Sequence, residues 1–307
     1  MRSTPIVVAA AQYAPVYLDM AASVHKACGL IREAAAQGAE LIVFPETFLP
    51  SYCYWTLLID PYTARQTYSV RLYEQALVLG DESTLLLADA ARQAQCTVVM
   101  GVTEREGGTL YNSQLVINAD GEVLGCRRKL VATHHERMSY GGGSGKDLRV
   151  FDTAVGKLGA LVCYEHVNPL FRYAVQAQGE EIHVANWPGG LPWTDPIIDA
   201  ATRQYAFEAQ TFVLSVTSCL TQDFIDSLGP KAQEILKAGG GCSSIIAPGG
   251  KVLARAGAGE EMLYAQLDPR AIFEWKQIVD SMGHYSRPDI VQLHLNPHRP
   301  APLVIDG

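Results

Sequence analysis

Residues 6–44 constrain the fold more than any other stretch of this chain. Two short apolar runs, Ile6 to Ala11 and Glu40 to Phe44, flank a segment from Ala21 to Gln37 whose apolar residues recur with helical spacing. Gly38 stands where such a helix stops. Strand, helix and buried strand in that order predict a β-α-β unit, which needs a parallel sheet covered by helices. The alternation continues with a helix over Thr84 to Gln95 and a strand over Thr97 to Val102. Strands Leu110 to Asn118 and Glu122 to Arg128 flank Ala119-Asp120-Gly121, an Asp-Gly hairpin signal. Later come a strand at Lys157 to Val162, a helix at Pro169 to Gln178, a strand at Ile182 to Ala185, a helix at Asp195 to Ala209 and a strand at Phe212 to Ser218. A last hairpin pairs Ser243 to Ala247 with Lys251 to Arg255 around Pro248-Gly249-Gly250. No repeat, low-complexity tract or linker divides the chain, so the expectation is one α/β domain over residues 1–307, with two sheets and helices outside.

Composition narrows the function classes. Lys and Arg number 24 against 32 Asp and Glu, a formal charge of −8, and no basic cluster offsets it. That balance argues against nucleic-acid or anionic-membrane partners. Hydrophobic residues make up 48%, as in a compact globule, yet no run reaches the roughly 18 to 20 apolar residues of a membrane span. Met1 to Pro5 lead into Ile6 to Ala10, which is too short for a signal-peptide core and reads as a first strand. The seven cysteines (28, 53, 96, 126, 163, 219 and 242) are widely spaced, odd in number and never CxxC. They predict free thiols in a reducing cytoplasm.

Six of those cysteines read as packing residues, and Cys163 is the exception. It ends the apolar run Gly159-Ala160-Leu161-Val162, and the next residues are Tyr164, Glu165 and His166. A cysteine becomes a nucleophile where a base or positive charge stabilises its thiolate. Glu46 follows another strand, in Phe44-Pro45-Glu46-Thr47-Phe48, and apolar surroundings raise a carboxyl toward the range useful for proton transfer. Lys129 follows a third, in Gly125-Cys126-Arg127-Arg128-Lys129, as a compact charge suited to a transient anion. Glu136, in Thr133-His134-His135-Glu136-Arg137, is placed to hold that ammonium or orient a water. Active groups collect past the C-terminal ends of strands in α/β folds, and Glu46, Lys129 and Cys163 share that position.

The chain resembles the nitrilase superfamily of carbon-nitrogen hydrolases, specifically its nitrilase branch. The family's Glu-Lys-Cys pattern falls on Glu46, Lys129 and Cys163, and its additional glutamate on Glu136. Ser51-Tyr52-Cys53-Tyr54-Trp55, Val184-Ala185-Asn186-Trp187-Pro188, Glu208 to Leu214 and Gly283-His284-Tyr285-Ser286-Arg287-Pro288-Asp289 agree as well, so the likeness spans nearly the whole chain. The resemblance implies an α-β-β-α sandwich that dimerises to α-β-β-α-α-β-β-α, and chemistry without metal or cofactor. It implies that Glu46 takes the Cys163 proton and that the thiolate attacks a nitrile carbon. A thioimidate and then a thioester follow, and two waters yield carboxylic acid and ammonia, with Lys129 stabilising charge. Tyr164 departs from the Trp usual after the cysteine in nitrilases and leans toward amidases, whereas Glu165-His166 and Asn168-Pro169-Leu170 lean back. The chain stops soon after the His284 motif, which speaks against long filaments but not against the dimer.

Other signals carry less. Gly141 to Lys146 lacks a phosphate loop's flanking residues, Tyr140 and Asp147 standing instead, and reads as a flexible loop beside the site where glycine permits close backbone approach. His134-His135 has no third ligand at metal spacing, and His166 lies too near Cys163 for a thiol-protease pair. Among the aromatics, Tyr54, Tyr164 and Trp187 are expected to border a pocket that favours aryl or arylaliphatic nitriles. Alternatives are an amidase, carbamoylase or cyanide-processing enzyme of the same superfamily, or an inactive interaction protein, against which the intact four-residue set argues.

Overall fold

The computed structural model describes residues 4–298; Met1 to Ser3 and residues 299–307 lie outside them. Among the described residues thirteen strands form two sheets. The first holds β1 (Ile6–Gln12), β2 (Ala39–Val43), β3 (Thr97–Glu106), β4 (Thr109–Ile117), β5 (Val123–Arg128), the two-residue β6 (Tyr140–Gly141) beside β4, and β13 (Glu261–Leu267). The second runs β12 (Val252–Arg255), β11 (Ser244–Ile246), β10 (Phe212–Thr217), β9 (Ile182–Trp187), β8 (Gly156–Val162) and β7 (Phe151–Thr153). Each sheet has a parallel centre, β1-β2-β3 in one and β10-β9-β8 in the other, with antiparallel strands at its edges. The longer helices are α1 (Met20–Ala36), α2 (Glu82–Ala94), α3 (Pro169–Gln176), α4 (Asp195–Ala209) and α5 (Arg270–Ile278).

Period-two alternation sorts the side chains into layers. Val8, Ala10, Leu41, Val43 and Val99 point inward to meet Leu158, Ala160, Val184, Leu214 and Val216 of the other sheet. Their neighbours Ala9, Ala11, Ile42, Val98 and Met100 face outward onto Ala27, Ile31, Leu87 and Ala91 of α1 and α2. Leu161, Ala185 and Val213 face the other way onto Val175, Ile198 and Ala206 of α3 and α4. Strands buried on both faces explain the near-continuous apolar runs, and the layers are helix, sheet, sheet, helix. Local signals set the ends: Asp19 accepts from the Ala22 N–H at 3.0 Å to start α1, and Gly38 at φ +83° turns the chain out of it.

Every strand and helix expected from the sequence is present within a few residues. The additions are helical turns between Trp55 and Glu74, helices Gln222–Ser227 and Pro230–Ile235, α5, and strands β6, β7 and β13. No helix of the described residues is long and apolar enough to cross a membrane.

Candidate active site

Three strand ends deliver the chemistry. After β2 the chain turns through Phe44 and Pro45 to Glu46, lying so close to β3 that a Cβ on Gly101 would come 1.9 Å from the Pro45 carbonyl oxygen. Lys129 follows β5, its N–H donating to Asn112 O on β4 at 2.8 Å. Cys163 follows β8 and opens the 3-10 turn Cys163–Val167. Six non-glycine residues with positive φ occur among the described residues, and three sit at this site: Thr47 (44°), His134 (45°) and Cys163 (53°). Backbone strain gathers where side chains must be aimed.

Lys129 is the hub. Its Nζ donates to Glu46 Oε1 at 2.9 Å and to Glu136 Oε1 and Oε2 at 2.9 and 2.8 Å, with all three side chains buried. Asn112 Nδ2 donates to Glu46 Oε1 at 2.6 Å, and Glu46 Oε2 has no hydrogen-bond partner among the described residues. Glu136 also accepts from the Tyr52 hydroxyl at 2.7 Å and the Thr133 N–H at 2.9 Å. Ligand-type atoms of Glu46, Glu136 and Cys163 lie within 4.8 Å of one another, and the Lys129 ammonium supplies the positive charge among them.

The charges tune one another. Burial raises Glu46 to about 7 against the pull of Lys129, which suits a base at neutral pH. Burial and the Glu46 carboxylate push the Cys163 thiol well above its ordinary value, with Lys129 easing it back, so the thiol rests protonated. Burial works against the Lys129 ammonium, but the Glu46 carboxylate, with Glu136 beside it, outweighs burial and keeps the ammonium charged.

Cys163 opens onto an apolar cavity of about 390 Å³ whose wall includes Glu136, Tyr164, Trp187, Leu191 and Trp193. A cavity of that size and polarity suits a small organic ligand. Tyr164 and Trp187 line it, and their rings meet edge to face with centroids 6.4 Å apart. Tyr54 does not: it is buried behind the wall, its hydroxyl donating to Gly189 O at 2.7 Å, and Tyr52 takes the place at the cavity. Two residues later the chain has turned, with Tyr54 in a helical conformation and its N–H donating to Tyr52 O at 3.0 Å, so the ring faces elsewhere, a difference of orientation that motif position alone does not encode. His134 and His135 lie in a 3-10 turn at the cavity, with His135 Nδ1 2.8 Å from Thr56 Oγ1. The glycine-rich segment packs tightly, Gly143 N–H donating to Lys129 O at 2.8 Å.

Polar stitches lock the two sheets together beside the cavity. Glu46 N–H donates to Trp187 O at 3.4 Å, Asn186 Nδ2 donates to Phe44 O, and Gln114 Nε2 donates to Leu161 O at 3.3 Å. Asn112, Gln114 and Tyr52 are the participants that sequence reasoning missed. The available signal was a pair of amides, Asn112 and Gln114, within the strand β4.

The carbon-nitrogen hydrolase family model matches residues 7–277. A nitrilase of Pseudomonas syringae pv. syringae is 44% identical, over 98% of this chain and 93% of that protein. An aliphatic nitrilase of Rhodococcus rhodochrous is 41% identical over 96% of this chain and 84% of its own length. An arylacetonitrilase of Aspergillus niger is 38% identical over 93% and 90%. The fold is also that of a carbon-nitrogen hydrolase from Helicobacter pylori G27, with a TM-score of 0.77 at 20% identity, covering 94% of this chain and 97% of that one. The glutamates, lysine and cysteine gathered at the strand ends thus sit in a chain that belongs to the carbon-nitrogen hydrolase family, in the nitrilase branch of its superfamily.

Proposed function

We propose that this protein is a nitrilase that converts an organic nitrile to its carboxylic acid and ammonia, with Cys163 as nucleophile. The observation that carries the reading is the convergence of Glu46, Lys129 and Glu136 on one thiol at an apolar cavity. Glu46 takes the thiol proton as sulfur bonds to the nitrile carbon, and that proton passes to the nitrogen to give a thioimidate. Water adds to the C=N bond, ammonia leaves, and a thioester remains. A second water, deprotonated by Glu46, displaces the thiolate, so two waters are consumed for each acid and ammonia. Lys129 stays charged and steadies the anionic centre in each step, while Glu136 holds the ammonium in place.

Tyr164 and Trp187 form walls suited to an aryl or arylaliphatic side chain, and named relatives include both aliphatic nitrilases and arylacetonitrilases. The same reading takes the whole chain as one hydrolase domain working without metal or cofactor in the cytoplasm, where its seven unpaired thiols suit a reducing compartment. It pairs two copies through the face carrying the exposed apolar residues Val167, Leu170 and Phe207.

The test is ammonia release with product identification on phenylacetonitrile, benzonitrile, a short aliphatic nitrile and cyanide, each beside the corresponding amide. Acid and ammonia from the organic nitriles with inert amides is the expected result. Turnover of amides alone would replace the reading with an amidase, for which Tyr164 is the sequence feature. Light scattering checks the pairing, and a monomer at micromolar concentration would refute it.

A further inference from the structure

Behind Cys163 runs a line of buried polar side chains that the steps above do not use. The Tyr205 hydroxyl meets Glu180 Oε1, and Glu180 Oε2 lies 2.8 Å from His183 Nδ1. His183 Nε2 lies 3.0 Å from His166 Nε2, and His166 Nδ1 lies 2.7 Å from the carbonyl oxygen of Cys163. All four side chains are buried. The rings are braced: His166 stacks on Trp187 and His183 on Tyr205, with centroids 5.1 and 3.7 Å apart. The fold leaves space for the carboxyl, because a Cβ at Gly159 of β8 would stand 1.8 Å from Glu180 Oε2.

The direction of this chain follows from its end. A carbonyl oxygen has no proton to give, so His166 Nδ1 carries one. Burial holds His166 at about 3 and His183 well below its ordinary value, so each ring is neutral with a single proton. His166 Nε2 is then an acceptor, and His183 donates its Nε2–H to it. His183 Nδ1 is bare in turn, which places the proton of that contact on Glu180, a carboxyl that burial raises to about 8. Tyr205 donates to the other carboxyl oxygen.

We propose that Glu180 and His183, acting through His166, are positioning residues for the nucleophile: their hydrogen-bond chain holds the Cys163 carbonyl so that the residue keeps its left-handed backbone and its thiol stays at the cavity. The proposal rests on the reading of Cys163 as nucleophile. At φ +53° Cys163 occupies a conformation that residues other than glycine avoid, and the donor on its carbonyl resists relaxation out of it.

Two near-isosteric variants separate the chain from simple packing. Glu180→Met fills the space but neither donates nor accepts, whereas Glu180→Gln donates to His183 and accepts from Tyr205 as the neutral acid does. On phenylacetonitrile, or on whichever nitrile in the panel above is turned over, Glu180→Met should lower kcat by about 10- to 100-fold with KM little changed, the scale of a misplaced reacting group. Glu180→Gln should restore kcat to within a few-fold of the parent. Wild-type kcat in Glu180→Met, or equal damage in both variants, would overturn the proposal. Nitrogen-15 NMR of histidine-labelled wild-type protein gives an answer even if Glu180→Met does not fold. A proton on His166 Nδ1 and on His183 Nε2 is expected, and the opposite tautomers would refute the chain. Substantial turnover by Cys163→Ser would instead remove the nucleophile reading, a failure distinct from that of the chain.

Discussion

Arg127 and Glu165 form a fully buried ion pair, and through it the strand that delivers Lys129 is tied to the turn that delivers Cys163. Glu165 Oε1 accepts from Arg127 Nη2 at 2.7 Å and from the Leu130 N–H at 2.8 Å, while Oε2 accepts from the Val162 N–H at 2.7 Å. Burial opposes the carboxylate, but Arg127 and these two backbone donors hold Glu165 below its ordinary value. Removing one partner strands the other charge in the interior. Glu165→Leu should therefore cost roughly 3–5 kcal/mol of stability. Urea unfolding measures the loss, and a change below about 1 kcal/mol, the scale of an exposed pair, would show that the pair is dispensable.

The nucleophile and the ammonium should fail differently from packing residues. Cys163→Ala abolishes turnover with the fold intact, and Cys163→Ser is nearly as inactive because an alcohol is a poor nucleophile at neutral pH. Lys129→Met lowers kcat by about 10²- to 10³-fold, the scale of one lost charge-stabilising donor. Steady-state kinetics decide the matter, since an effect of Lys129→Met confined to KM would contradict its role.

The acid limb of activity should report Glu46. The base must be ionised to accept the thiol proton, and burial places its titration at about 7 rather than 4.5. Below that value the carboxyl already carries a proton, so kcat/KM rises with pH through about 7 and then levels. A profile of kcat/KM from pH 5 to 9 checks this. A limb near 4.5 would mean that Glu46 is not the base or is better solvated than its burial indicates.

Glu180 gives a pH signature in stability rather than rate. Its folded value of about 8 exceeds the ordinary 4.5 of an unfolded chain, so in that window the native state keeps a proton that the unfolded state has lost. Its contribution is full below 4.5, declines by about 1.4 kcal/mol per pH unit as pH rises, and is gone above 8. Glu180→Gln is neutral throughout and retains the same neighbours, His183 and Tyr205 with Glu208 and Arg172 beyond them. The stability of the parent relative to Glu180→Gln should fall from pH 5 to 8 and then flatten. Denaturant unfolding at each pH measures it, and a difference independent of pH would contradict a neutral Glu180.

Substrate choice should depend on the cavity wall and not on its backing. Trp187→Ala should raise the ratio of short aliphatic to arylaliphatic turnover by about tenfold, a modest apolar discrimination. Tyr54→Phe should leave that ratio unchanged, because the Tyr54 hydroxyl bonds Gly189 O behind the wall. Competition assays with mixed nitriles read both.

Apolar periodicity made the layers legible, and strand ends made Glu46, Lys129 and Cys163 legible, because both depend on local pattern. What escaped depends on which residues meet across the molecule. Asn112 reads as one of several polar residues within β4, and only the sheet order β2-β3-β4-β5 sets it beside both Glu46 and Lys129. Tyr52 and Tyr54 stand two apart in one motif, yet one reaches Glu136 and the other Gly189, a choice made by the turn that carries them. His166 lies too near Cys163 in the chain to be its base, and the same nearness lets it bond the cysteine's own carbonyl.

Glu46 and Lys129 belong to one sheet and Cys163 and Trp187 to the other, so neither half of the sandwich owns a reactive centre. Sliding one sheet along the other by a single residue, about 3.3 Å, would carry the thiol away from its base while leaving each sheet internally sound. Enzymatic turnover is thus a gauge of how the halves dock. A protein that has formed its strands but not yet mated its two faces should look native by backbone spectroscopy and remain silent in an ammonia assay.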